Sequence, residues 1–86
     1  MSPRLRPDVA TTDTEHGTVL LDERTGRYYQ LNPTGARVLR GLLDGHSPDR
    51  IADGLANDHH LDHGRARHDV TALLDRLRTA NLVVEP

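Results

Sequence analysis

Apolar residues recur along this chain with two different periods, and the change falls at Asn32. Before it, Val19, Leu20 and Leu21 run into a polar turn closed by Gly26, after which Tyr28, Tyr29 and Leu31 resume an extended pattern. Two short apolar runs around such a turn predict antiparallel strands, here Thr18 to Leu21 and Arg27 to Leu31, joined by Asp22 to Gly26. Val9 to Thr14, rich in Val and Thr ahead of a His16-Gly17 turn, predicts a further strand before them. After Asn32 the apolar positions adopt a helical period. Asn32-Pro33 starts a helix in which Ala36, Val38, Leu39, Leu42 and Leu43 share a face and Asp44-Gly45 is the stop. Ser47-Pro48 repeats that start for a second helix with Ile51, Ala52, Leu55 and Ala56 as its buried stripe. The polar run Asn57 to Gly64 predicts a surface loop. A third helix from Arg65 to Ala80 follows, and Leu82-Val83-Val84 predicts a short closing strand. The order makes an α+β fold: a small three-stranded antiparallel sheet, then a three-helix bundle. Met1 to Pro7 is expected to be a mobile lead-in.

The third helix carries a broad apolar face. Ala66, Val70, Leu73, Leu74 and Leu77 cover it, with Leu73 and Leu74 on opposite flanks, a width that predicts two contact surfaces. One flank meets the first two helices. The other borders the sheet and leaves a groove between this helix and the strand Arg27 to Leu31. Tyr28 and Tyr29, neighbours on that strand, point to opposite faces.

Composition narrows the chemistry. The chain has 86 residues, which predicts one domain spanning 1–86, and it contains no Phe, Trp or Cys, so the core is aliphatic. Without cysteine there is no disulfide, no thiolate metal site and no cysteine nucleophile, which fits a cytoplasmic location. No segment reads as a signal peptide or a membrane span. Net charge is −2, and all 11 basic residues are arginines spread thinly along the chain, so no basic stripe for nucleic acid is expected. His59, His60 and His63, interleaved with Asp58 and Asp62, are the most metal-like cluster. Their polar surroundings favour a solvated loop, and no further ligand is fixed by spacing, so no metal or other cofactor is expected. Asp22-Glu23-Arg24 reads as a solvated hairpin tip without the enclosure that acid–base chemistry needs. No serine or threonine sits in a nucleophile or phosphate-loop pattern, and no catalytic residue is expected.

The string Leu20 to Ala36, with Leu20-Leu21-Asp22, the Gly26 turn and Tyr28-Tyr29-Gln30-Leu31-Asn32-Pro33-Thr34-Gly35-Ala36, resembles the PqqD-like family. So do the Gly45 helix stop and the Asp69-Val70, Leu73-Leu74, Leu77 helix. The resemblance covers nearly the whole chain and is nearest to the stand-alone recognition subunits of lasso-peptide biosynthesis. It implies a winged helix-turn-helix fold and a RiPP recognition element that holds a precursor's leader peptide. The element would present that leader to a separate leader peptidase, alongside the pathway's cyclase. In such proteins the leader adds as a strand and is clamped by the third helix. Carried over, the backbone of Arg27, Tyr28, Tyr29, Gln30 and Leu31 would pair with the leader. Val70, Leu73, Leu74 and Leu77 would line its apolar pocket, and Asp69 and Arg76 would make polar contacts. The alternative reading is a winged-helix DNA-binding regulator using Arg65, Arg67, Arg76 and Arg78. Asp69 and Asp75 on the same helix and the net negative charge argue against it.

Overall fold

The computed structural model describes residues 3–85. In chain order the elements are β1 (Arg4–Leu5), β2 (Val9–Thr14), β3 (Gly17–Asp22), β4 (Arg27–Leu31), α1 (Pro33–Leu43), α2 (Pro48–His59), α3 (His63–Thr79) and β5 (Val83–Val84). Strands β2, β3 and β4 form an antiparallel meander in that order, and β1 pairs with β5 in a separate two-stranded sheet. The strand-to-helix switch sits at Asn32. Its side-chain oxygen accepts from the Gly35 N–H at 2.7 Å while Pro33 occupies the first turn, so α1 starts where β4 ends with no loop between them. Ser47 caps α2 in the same manner, accepting from Arg50 at 3.1 Å.

Three expectations change on contact with the structure. The run Asn57 to Gly64 is not one loop. Helix α2 continues through His59, His60 turns left-handed at φ 52°, and Asp62 caps α3 by accepting from the Arg65 N–H at 3.2 Å. Asp62 is an N-cap hidden among loop-like neighbours, and it starts the helix two residues before Arg65. The lead-in is not free either. Arg4–Leu5 pairs with Val83–Val84, and the Arg6 N–H donates to the Leu82 carbonyl at 3.0 Å, so residues 4–6 and 82–84 are tied together. Met1 and Ser2, also assigned to that lead-in, lie outside the described residues. Asp22, expected at a solvated tip, is buried.

Asp22 is held by Arg6, whose Nη2 donates to its Oδ1 at 2.8 Å, and the same oxygen accepts from the Arg24 N–H at 3.1 Å. Burial pushes the Asp22 carboxyl upward, but the Arg24 N–H and the Arg6 charge outweigh it and hold the group below its ordinary value of 3.8. Arg6 Nε is buried without a partner, a desolvation cost that the ion pair must offset. This contact crosses 16 residues of sequence and anchors the base of the β3–β4 hairpin to the N-terminal segment.

The core lies between the inner face of the meander and the helices. Leu20, Leu42, Leu55, Leu82 and Val70 are its largest fully enclosed side chains. β3 shows the pattern best, with Thr18, Leu20 and Asp22 buried and Gly17, Val19 and Leu21 half-buried on the other face. At Gly17 a side chain is excluded on two counts: φ is +130°, and a Cβ there would meet the Leu31 carbonyl oxygen at 1.9 Å. That close approach holds the end of β4 against the start of β3. No helix among the described residues is long and apolar enough to cross a membrane.

Candidate functional site

β4 is an edge strand, and the ladder shows which of its backbone groups are free. The Glu23 N–H donates to the Asp8 carbonyl at 2.9 Å, one step beyond the β2–β3 ladder, in register with Val9 opposite Asp22. Because hydrogen-bonded and non-bonded pairs alternate along an antiparallel ladder, Gly17, Val19 and Leu21 turn their backbone toward β2 and Thr18, Leu20 and Asp22 toward β4. The partners of the latter are Leu31, Tyr29 and Arg27. Leu31 and Tyr29 therefore spend their N–H and C=O groups on β3, while Arg27, at the turn, donates its N–H to Thr25 Oγ1 at 3.3 Å. Only Tyr28 and Gln30 direct theirs to the open edge, so pairing by the whole run Arg27 to Leu31 reduces to two residues.

Opposite this edge stands α3. The helix packs chiefly on α2 and touches β4 little, which leaves a groove between them. Two adjoining cavities of about 620 Å³ and 480 Å³ fill it and share Leu31, Leu73 and Arg76 as walls. The larger lies toward Gln30, Leu31 and Asn32, against Asp69, Ala72 and Leu73. The smaller lies toward Arg27 and Tyr29, against Leu77 and Ala80, with Leu20 and Leu82 behind them. Thus α3 runs antiparallel to β4 along the groove. Side chains alternate across the strand: Tyr29 is half-buried on the groove side, and Tyr28 stands 71% exposed on the other face.

The residues singled out from sequence divide accordingly. Arg27, Tyr29, Gln30, Leu31, Asp69, Leu73, Arg76 and Leu77 all border the groove. Val70 and Leu74 do not. Val70 has no exposed surface and Leu74 is buried in the same cluster, so both are core residues and the pocket walls assigned to them belong to the Leu73 flank. Ala72 and Thr79 complete that flank at helical spacing with Asp69 and Arg76, and neither stands out in the sequence because a single alanine and a single threonine carry little signal. His16, from the β2–β3 turn, also reaches the larger cavity, and nothing in its local sequence marks it.

Three of the charges bordering the groove are uncommitted, and Asp75 is not. Among the described residues Asp69, Arg76 and Arg27 form no ion pair, whereas Arg67 pairs with Asp49 at 3.1 Å and Arg78 with Asp75 at 3.4 Å and with Glu85. The Glu85 carboxyl lies below its ordinary range and the Arg78 guanidinium above its own, each chiefly through their mutual hydrogen bond. Among the described residues no three His, Cys, Asp or Glu side chains stand where they could hold a metal ion, and His63 is engaged with Asp53.

An extended peptide can add to an open strand edge, and here such an edge faces a helix across a partly apolar groove. Residues 17–83, which include both β4 and α3, match the family model of coenzyme PQQ synthesis protein D. The chain belongs to the PqqD family. The PqqD match begins at Gly17 and so leaves out β1, β2 and the Arg6 anchor. Among solved structures this PqqD-family chain is similar to a lasso peptide synthetase B1 complexed with the leader peptide. The two are 38% identical with a TM-score of 0.92, over 99% of this chain and 100% of that one. It is also similar to the PqqD truncation of Methylobacterium extorquens PqqCD, described as a functional and stand-alone RiPP recognition element. There the identity is 26% and the TM-score 0.77, over 96% of this chain and 88% of that one. TbiB1 in complex with the TbiA(beta) leader peptide shares the fold, with a TM-score of 0.84 at 24% identity over 100% of this chain and 98% of that one. Among curated proteins none matches this chain.

Proposed function

We propose that this protein is a non-catalytic leader-peptide recognition element that captures the leader of a ribosomally synthesised precursor, of the lasso-peptide class, for processing by other proteins. The observation that carries the proposal is the open edge of β4. Tyr28 and Gln30 offer two N–H and two C=O groups there, beside a groove whose middle is walled by Leu31 and Leu73. A leader segment lying in that groove gains main-chain hydrogen bonds from β4 and apolar burial from α3, the division of labour typical of strand addition. The likeness to a lasso peptide synthetase B1 bound to a leader peptide supports the same occupant. In this reading the domain spans 1–86. The meander is the wing and α1 to α3 the helical part of a winged helix-turn-helix whose surface has been turned to peptide rather than DNA.

The partners follow from the chemistry the chain lacks. With no cysteine and no organised nucleophile, leader removal falls to a separate peptidase, and ring closure to the pathway's cyclase, all in the cytoplasm. No metal or cofactor takes part in binding. Two of the α3 arginines that a DNA-binding reading needs, Arg67 and Arg78, are tied to carboxylates, which disfavours that reading.

Isothermal calorimetry with a synthetic leader peptide tests the proposal. The expected result is saturable binding in chelator-treated buffer, with the precursor uncut after prolonged incubation. Absence of leader binding, together with a duplex-DNA complex that weakens steeply as salt is raised, would instead identify a regulator.

A further inference from the structure

The groove has two electrically different ends. Toward Asn32 it carries Asp69 and His16, while Arg76 stands on the wall that both cavities share. Toward Arg27 it carries Arg27 and Arg76, together with Asp75, which already pairs with Arg78. Asp69 and Arg76 lie on one stripe of α3, seven residues apart and thus about 10 Å along the helix axis. Arg27 and Leu31 are about 13 Å apart along β4, so the two walls present their charges over a similar length. Both α3 charges are exposed and without ion-pair partners among the described residues, and the apolar wall beside them is formed by Leu73, Leu77 and Tyr29.

An added strand meets these ends with a period of two. In an antiparallel pair, residues directly opposite one another point to the same face of the sheet. Leader residues opposite Leu31, Tyr29 and Arg27 therefore point into the groove, and those opposite Tyr28 and Gln30 point away. Antiparallel addition continues the geometry of the existing meander and is the slightly more stable pairing. It brings the leader in beside Leu31 and out beside Arg27.

Resting on the leader-binding reading above, we propose that Asp69 and the Arg27–Arg76 pair determine the leader's direction and register. They select a segment of the form basic–x–apolar–x–acidic, read from its N-terminus. The basic side chain lies by Asp69, the apolar one over Leu73 and Leu77, and the acidic one between Arg27 and Arg76. A leader entering in the reverse direction sets like charges against each other at both ends, so the groove rejects it by repulsion as well as by lost attraction.

The test uses two versions of the leader peptide seen with the 38% identical synthetase B1. In one, the positions two before and two after the apolar residue whose replacement by Ala most weakens binding are Lys and Glu; in the other they are exchanged. Composition and net charge stay the same. Fluorescence anisotropy in low salt should show the Lys-first peptide binding about 5- to 20-fold more tightly, the range expected when two exposed pairs change from attraction to repulsion. The double variant Asp69→Lys/Arg76→Glu should prefer the Glu-first peptide. The single variant Asp69→Asn should narrow the wild-type preference without reversing it. Both positions are exposed, so melting temperatures should stay near that of the wild type. In 1 M salt, where charges are screened beyond about 3 Å, the two peptides should converge. Equal binding of the two peptides by the wild type, or an unaltered preference in the double variant, overturns the charge-order rule while leaving leader binding intact. Failure of the wild type to bind either peptide overturns leader recognition itself and the rule with it.

Discussion

The two flanks of α3 do opposite things with similar residues. On one, Ala66, Val70 and Leu74 are buried in the core of a helix that packs chiefly on α2. On the other, Leu73 is equally buried, yet it stands beside a groove that none of the described residues fills. The difference lies in what faces each flank. α2 brings its own apolar stripe of Ile51, Ala52 and Leu55, whereas β4 faces α3 across a gap and keeps two residues' worth of backbone unpaired. A sealed interface stabilises the fold. An open one, with the backbone groups of Tyr28 and Gln30 unpaired, is available to a partner.

Leucine truncations break this comparison most strongly. Leu74→Ala should lower folding stability by about 2–5 kcal/mol in urea denaturation and leave the leader affinity of the folded protein near that of the wild type. Leu73→Ala should also lower stability, since its side chain is already buried without a peptide, but it should in addition weaken leader binding by about 1–3 kcal/mol in calorimetry. If both variants bind the leader equally well, the flanks are not functionally distinct.

Proline in β4 sharpens the comparison at the level of single hydrogen bonds. Gln30→Pro removes an N–H that points to the open edge, so leader affinity should fall by about 1–2 kcal/mol with little change in melting temperature. Tyr29→Pro removes an N–H spent on β3 and should lower the melting temperature instead. The reverse pattern would place the ladder one residue out of register.

The acid range probes the anchor beneath the hairpin. Asp22 has its carboxyl held below the ordinary value, so the folded state binds fewer protons there than the unfolded chain does. Its contribution is complete above the ordinary value of 3.8 and is lost as pH falls below that and through the lowered folded-state value. Melting temperatures measured from pH 7 down to pH 2 should therefore drop more steeply for the wild type than for Asp22→Asn. The smallest effect belongs to the rim of the sealed flank. Arg67→Ala breaks an exposed pair with Asp49 and should change stability by less than about 0.5 kcal/mol, with leader affinity unchanged.

The local architecture was legible because its signals are local. The caps Asn32 and Ser47, the prolines after them, the Gly26 turn and the change of hydrophobic period act within a few residues, and each has the position in the structure that its chemistry demands. The spelling of Leu20 to Ala36 likewise sufficed to point to the family. Other features depend on residues distant in sequence. Whether Leu73 or Leu74 faces the groove depends on the rotation of α3 against α2, which no single helix contains. The backbone groups free on β4 follow from the phase of a ladder two strands away. Asp22 looks like any turn carboxylate until Arg6, 16 residues earlier, closes over it. Periodicity and capping are properties of a segment and can be read from it. Burial, free edges and charge partners arise from the meeting of segments, and only the tertiary structure decides them.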